Sequence, residues 1–219
     1  ISGCSPAKEI VEEQIQEPEE NKEPEEVQPI KPVISVVTTL FPQFDFARSI
    51  GGEYIDVTLL LPPGIEAHSF EPTPQDIVKL LKADLLLYTG ELMEPWIINI
   101  ILNLENENVM VIDLSKNIQL IEMEEDDNDH SHTHSHDDGE LDPHYWTNPN
   151  MAIIMVDTIV EAFVSIDPDN SNVYFSNGEM LKNDLVTLDQ DIREVLSKTE
   201  SDTIISGGHF AFGYFAKEY

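Results

Sequence analysis

The stretch Val33-Ile34-Ser35-Val36-Val37-Thr38-Thr39-Leu40 decides the fold of this chain. It is short, apolar and rich in β-branched residues, which is typical of a strand buried on both faces of a sheet. A helix is predicted over residues 42–50, and Gly51-Gly52 ends it. A buried strand followed at once by a helix begins a β-α-β unit, so we expect an α/β fold around a parallel sheet.

The same alternation continues through the first half of the chain. Further strands are predicted at Tyr54–Leu61, Asp84–Tyr88 and Val109–Leu114. Helices are predicted from the Thr73-Pro74 cap to about Ala83, over Pro95–Leu104, from the Asn148-Pro149 cap to about Ser165, and over about 172–198. Strands that alternate with helices predict a parallel, Rossmann-like sheet with right-handed crossovers.

The last predicted long helix suggests a second lobe. Its apolar residues recur at spacings of three and four, and roughly 26 residues reach about 39 Å, which is enough to join two lobes as a rigid rod. Thr203–Ser206 then predicts a strand, and Gly207-Gly208 turns it into a helix led by His209. We therefore expect two Rossmann-like lobes: an N-terminal lobe (33–170), a connecting helix (171–200) and the start of a C-terminal lobe (201–219), most of which is missing from this fragment.

The N-terminal region differs sharply in composition. Residues 5–32 are rich in Glu and Pro, which predicts a disordered acidic tether. Cys4 follows Ile1-Ser2-Gly3, a string that resembles the end of a bacterial lipoprotein signal peptide, where the cysteine carries the lipid. Residues 1–32 thus predict a membrane anchor with a spacer; the alternative is a cytosolic tail with an incidental cysteine. The sequence contains no run of about 18 apolar residues.

The charge of the chain disfavours one class of partner. Its formal net charge is −32, from 43 acidic and 11 basic residues, so binding to nucleic acid is disfavoured. The single cysteine excludes an internal disulfide.

Three histidines predict a metal site. His68 lies in PPGIEAH, His144 in DPHYW and His209 in SGGHFAFGY. In open α/β sheets, ligands bind outside the carboxyl ends of the strands, so residues from separate loops can converge there. Neutral imidazole is a good ligand for zinc. We expect the three rings to lie within about 10 Å of one another around one Zn²⁺ ion.

A histidine-rich insertion separates the first two of these motifs. The periodic pattern lapses over 117–143, and residues 122–142 hold ten acids and no Lys or Arg. His130, His132, His134 and His136 alternate within it. The tract predicts auxiliary metal sites that collect zinc; the alternative is a low-complexity loop with weak, unspecific affinity.

Three stretches together resemble the zinc and manganese solute-binding lipoproteins of bacterial ABC importers. They are Gly64–Asp76 (GIEAHSFEPTPQD), Asp142–Pro149 (DPHYWTNP) and His209–Tyr219 (HFAFGYFAKEY). The resemblance implies two α/β lobes joined by a long helix with the metal between them. It also implies metal ligands at His68, His144 and His209, with a further ligand beyond Tyr219. Histidine at the third position is similar to the zinc branch, whereas manganese binders typically carry a carboxylate there.

The resemblance also implies a function. It points to an extracytoplasmic, membrane-anchored, monomeric protein that captures Zn²⁺, or alternatively Mn²⁺ or iron, and passes it to an ABC permease with its ATPase. A surface adhesin or zinc-storage lipoprotein would share the same site. A zinc hydrolase also uses three histidines and an open water position, but the sequence contains no HExxH motif or comparable acid–base signature, so we do not expect an enzyme.

Overall fold

A computed structural model describes Gly3 and residues 33–104, 108–123 and 141–219. The chain divides into two units, Ile1–Pro32 and Val33–Tyr219. Cys4, the predicted tether and all four histidines of the predicted auxiliary site lie outside the described residues.

A four-stranded parallel sheet forms the centre of the second unit. Its strands are β1 (Ile34–Thr38), β2 (Ile55–Leu59), β3 (Leu85–Tyr88) and β4 (Met110–Asp113), in the order β2-β1-β3-β4. All three pairings are parallel. β1 is an inner strand, and Val36 and Val37 are almost completely buried on its opposite faces. The predicted α/β fold with a parallel sheet is therefore confirmed.

Helices cover both faces of this sheet. They are α1 (Phe41–Gly51), α2 (Pro74–Leu81), α3 (Ile98–Leu104, preceded by a 3₁₀ turn at Pro95–Ile97), α4 (Pro149–Ile166), α5 (Ser171–Leu196) and α6 (Gly213–Glu218). The predicted caps are present: the Thr73 hydroxyl accepts a hydrogen bond from the Asp76 amide at 3.3 Å, and the Asn148 side chain accepts one from the Asn150 amide at 2.8 Å. These caps satisfy amides that the first turn of a helix leaves unpaired.

The larger core contains α1, α4 and α5. Phe163 of α4 and Tyr174 of α5 are fully buried there, with ring centroids 5.4 Å apart. Among the described helices, α4 alone is long and apolar enough to cross a membrane by length and composition. Its buried face packs in this core, which is the position of a core helix in a folded domain.

The end of the chain differs from the prediction. The strand predicted at Thr203–Ser206 is wrong: these residues form no regular structure, and Ile205 is 95% exposed. A strand needs a hydrogen-bonded neighbour, and none of the described strands lies beside this segment. The helix predicted to begin at His209 begins instead at Gly213.

The long helix α5 is present, but its apolar face is covered over only part of its length. Tyr174, Gly178 and Leu185 are buried, whereas Leu188 is 48% exposed and Val195 is 63% exposed. The apolar face becomes exposed where the partner helix α4 begins. At that point Nδ2 of Asn150 in α4 donates a hydrogen bond to Oδ1 of Asp189 in α5 at 3.4 Å. Its predicted role as a connector between two lobes stays a prediction.

Two short strands flank the histidine tract. The two short strands β5 (Ile121–Glu122) and β6 (Leu141–Asp142) pair antiparallel, with Ile121 opposite Asp142. The sequence pattern predicted no structure over 117–143, because two-residue strands are too short to show a periodicity. The two strands of this pair form the base of the histidine-rich insertion, and β6 leads directly into the His144 motif.

Candidate metal centre

His68 lies in the loop between β2 and α2, and neighbouring side chains hold this loop against the core. Ala67 is buried with Leu61 and Met93, and the Trp96 indole N–H donates a hydrogen bond to the Ala67 carbonyl at 2.8 Å. The Glu66 carboxylate accepts a hydrogen bond from the His68 amide at 3.1 Å. The backbone on the N-terminal side of the half-buried His68 is thus restrained by packing and by hydrogen bonds.

His144 lies two residues beyond Asp142 at the end of β6, and only 2% of its surface is exposed. Asp142 Oδ1 lies 2.7 Å from His144 Nδ1 and accepts a hydrogen bond from the His144 amide at 2.8 Å. The carboxylate favours the tautomer that carries the proton on Nδ1, which leaves the Nε2 lone pair free for a metal. Sequence reasoning did not identify this role of Asp142.

The ionisation of Asp142 agrees with that role. Burial raises the pKa of this carboxyl, but hydrogen bonds from the His144 ring and amide, together with the charges of His144 and His209, lower it overall. Asp142 is therefore a carboxylate at neutral pH and acts as an acceptor for the imidazole N–H.

His209 is exposed and lies in the irregular segment between α5 and α6. The predicted helix start at this residue is wrong, so its ring is positioned by a loop. The loop is followed directly by α6, whose Tyr214 is 4% exposed.

The three rings converge, although the histidines are far apart in sequence. Ring centroids are 5.5 Å apart for His68 and His144, 5.6 Å for His68 and His209, and 4.9 Å for His144 and His209. The Nε2 atoms of His144 and His209 are 3.1 Å apart, and one ring nitrogen from each histidine lies within 4.8 Å of the other two. All separations are well inside the expected 10 Å limit.

These distances fit the coordination geometry of zinc. Two nitrogens bonded to a tetrahedral Zn²⁺ at about 2.0–2.1 Å lie about 3.3 Å from each other. The separation of 3.1 Å between the Nε2 atoms of His144 and His209 is close to this value, and a ring nitrogen of His68 lies within 4.8 Å of both rings' ligand nitrogens. Within residues 33–104, 108–123 and 141–219, these histidines are the one group of His, Cys, Asp or Glu side chains spaced to hold a metal. Their role as ligands stays a prediction.

The segment after β3 holds a buried carboxylate that the sequence did not predict. Glu94 is fully buried, and it accepts hydrogen bonds from the amides of Thr89 at 2.7 Å and Gly90 at 3.2 Å. Burial raises the pKa of Glu94 to about 7, although hydrogen bonds from Thr39, Thr89 and Gly90 oppose the rise. The Tyr145 hydroxyl, next to His144 in the chain, donates to the Thr89 carbonyl at 2.6 Å, so this polar network supports the backbone of the His144 motif.

Comparisons with known proteins define the class. A model of periplasmic components of zinc uptake, described as "Zinc-uptake complex component A periplasmic", matches residues 36–219. The chain therefore belongs to this family, the ZnuA family.

Individual relatives agree with this assignment. The chain is 38% identical over 187 residues to the high-affinity zinc uptake system protein ZnuA of Bacillus subtilis (strain 168), a match that covers 85% of this chain and 58% of that protein. Its fold is similar to the crystal structure of Zn(II)-bound AdcA from Streptococcus pneumoniae, with a TM-score of 0.74 and 27% identity over 86% of this chain and 38% of that one. It is also similar to the metal-dependent lipoprotein YcdH from Bacillus subtilis, with a TM-score of 0.72 and 34% identity over 85% of this chain and 64% of that one.

Proposed function

We propose that this chain binds Zn²⁺ through His68, His144 and His209. We propose further that the whole protein captures zinc outside the cytoplasm and delivers it to the permease and ATPase of an ABC importer. The observation that carries the proposal is the convergence of three ring nitrogens within 4.8 Å. Membership of the ZnuA family supports it, as does similarity to the high-affinity zinc uptake protein of Bacillus subtilis, of which the chain spans 58%.

The ligand set favours zinc over manganese. Three imidazoles supply only nitrogen, which suits zinc, whereas manganese prefers carboxylate, carbonyl and water oxygen. Asp142, the carboxylate bonded to the cluster, is engaged by the Nδ1 side of His144 and acts as support for that ring. The fourth position of a tetrahedral ion is left for water or for a further ligand.

In a competition titration, the full chain should bind Zn²⁺ at least about tenfold more tightly than Mn²⁺. Affinities are measured by isothermal titration in the presence of a calibrated chelator. His209→Asp is the matched variant. An oxygen ligand at the exposed third position should reduce the preference for Zn²⁺ over Mn²⁺ several-fold. Equal affinity for the two metals in the unmodified chain would contradict the zinc assignment.

We also propose that the protein acts by binding and release, without catalysis. A hydrolase would need a general base beside a metal-bound water, and Asp142 is already engaged by His144. Turnover of ester or phosphate substrates by the zinc-loaded chain, abolished in a His144→Ala variant, would contradict this view.

We propose that the tract containing His130, His132, His134 and His136 binds additional zinc weakly. Deletion of residues 124–138 should lower the number of zinc ions bound per chain and leave the high-affinity site intact. The reason is that the deletion lies between β5 and β6 and spares both strands of their common base, including Asp142. Stoichiometry and affinity are read from the same titration. If high-affinity binding disappears, the tract supplies an essential ligand.

We propose that Cys4 carries a lipid and anchors the protein as a monomer to the outer face of the cell membrane. The string Ile1-Ser2-Gly3 before the cysteine supports this proposal, and so does the similarity to YcdH, a metal-dependent lipoprotein. Mass spectrometry of the protein extracted from membranes checks it: an unmodified Cys4 would contradict the anchor.

A further inference from the structure

Tyr214 bonds both strands at the base of the histidine-rich insertion. Its hydroxyl accepts a hydrogen bond from the Ile121 amide at 3.0 Å and donates one to the Asp142 carbonyl at 3.1 Å. Ile121 and Asp142 are opposite each other in the β5–β6 pair. One buried hydroxyl on α6 is therefore attached to both strands at the same pair of residues.

This contact links the segment that contains His209 to the segment that contains His144. Tyr214 follows His209 by five residues, and Asp142 holds the His144 ring through its carboxylate. The start of α6 is in close contact with the same residue, because a side chain at Gly213 would collide with the Asp142 carboxylate. Asp142 is thus bonded to His144 through its side chain and to α6 through its carbonyl.

The position of His209 depends on how α6 is docked. α6 has six residues, which is too short for a helix to be stable without tertiary contacts. Apart from Tyr214, its polar attachments include an ion pair between Glu218 and Arg193 of α5. The hydroxyl of Tyr219, the residue that follows α6, also donates a hydrogen bond to Asp189 of α5 at 2.8 Å. The segment before α6 forms no helix or strand and leaves His209 exposed, so it supplies little restraint of its own.

We propose that Tyr214 is a positioning residue for the metal centre: its hydroxyl holds α6, and with it His209, against the strand that carries Asp142 and His144. This inference rests on the proposed zinc site. Ligands held in place before the metal arrives lose less freedom on binding, so loosening α6 should weaken zinc binding without removing a ligand.

The Tyr214→Phe variant tests this role, because it keeps the buried ring and removes only the hydroxyl. We expect its zinc affinity to fall about tenfold. In a His209→Ala background, the same substitution should change the affinity less than about twofold, since the histidine that it positions is gone. The visible spectrum of bound Co²⁺ should also change in Tyr214→Phe, because the geometry around the ion is altered.

Tyr174→Phe is the matched control. Tyr174 is buried and its hydroxyl donates to Asp167 at 2.8 Å, at the corner between α4 and α5. We expect it to lower thermal stability and leave zinc affinity unchanged. Tyr219→Phe, which removes a different attachment of α6, should weaken zinc binding in the same direction as Tyr214→Phe and serves as the second test if the latter does not fold.

The outcomes distinguish a failure of the positioning role from a failure of the proposed zinc site. If His209→Ala weakens zinc binding but Tyr214→Phe does not, or if Tyr214→Phe has the same effect with and without His209, the positioning role is wrong and the zinc site stands. If neither substitution changes the affinity, the proposed zinc site itself is wrong.

Discussion

Replacing His144 with alanine should weaken zinc binding by about a thousandfold, because it removes one of three nitrogen ligands from the first coordination sphere. His144 is the ligand with the most restricted ring: it is buried, and its Nδ1 is bonded to Asp142 at 2.7 Å. A ring that is already oriented loses little freedom when the metal binds, so its removal should cost more affinity than the removal of the exposed His209. Isothermal titration with a competing chelator measures the change.

Two further variants make this result specific. Asp142→Asn keeps an acceptor for the His144 ring but removes the charge, so it should lower zinc affinity by about 10–100-fold, which is less than the loss of the ligand itself. Thr147→Ala removes a hydrogen bond of 2.9 Å to the His144 carbonyl and leaves the ring untouched, so it should have little effect. Unchanged zinc affinity in the His144→Ala variant, or in a His68→Ala, His144→Ala double variant, would refute the assignment of the ligands.

The parts of the fold that sequence predicted are those that depend on local patterns. The β-branched run Ile34–Thr38 is an inner strand, and the Thr73-Pro74 and Asn148-Pro149 signals start helices at the expected residues. Each signal reports the environment of a few neighbouring residues, such as burial on both faces of a sheet or the need to satisfy free amides. The prediction failed at Thr203–Ser206, where β-branched residues are present but none of the described strands lies alongside.

The histidines of the site were predictable from residue type, but the groups that hold them were not. The bond between Trp96 and Ala67 joins residues 29 positions apart, and the bond between Tyr214 and Asp142 joins residues 72 positions apart. Such long-range contacts leave no periodic pattern in the sequence. Asp142 is the exception, because a carboxylate two residues before a candidate ligand is a visible signal for a partner of the imidazole.

The burial of Glu94 could not be predicted from its residue type. A glutamate between Met93 and Pro95 is ordinarily expected at the surface, yet this side chain is fully buried. It is tolerated because the amides of Thr89 and Gly90, just after β3, point at one carboxylate oxygen and the Thr89 hydroxyl lies 3.2 Å from the other. Such a nest of donors depends on how the backbone turns after the strand, which the residue types do not reveal.

The buried Glu94 should make the stability of the protein depend on pH. Its folded-state pKa is raised from 4.5 to about 7, so between these values the folded state holds a proton that the unfolded state has lost. The stability that Glu94 contributes is therefore greatest below about pH 4.5 and decreases as pH rises through 7. Between pH 5 and pH 8 the free energy of unfolding should fall by roughly 2–3 kcal/mol because of this group.

Glu94→Gln isolates that contribution. Glutamine is neutral at every pH, and its oxygen can still accept from both amides while its nitrogen can donate to the threonine hydroxyls. Urea unfolding of the metal-free chain from pH 5 to pH 8 should show the variant gaining roughly 2–3 kcal/mol relative to the unmodified protein. Histidine titration is common to both proteins and cancels in the difference, and Glu91→Gln, at an exposed carboxylate, is the matched control. A difference that stays flat with pH would mean that Glu94 is ionised in the folded protein as readily as in the unfolded chain, and that its donors fully compensate for burial.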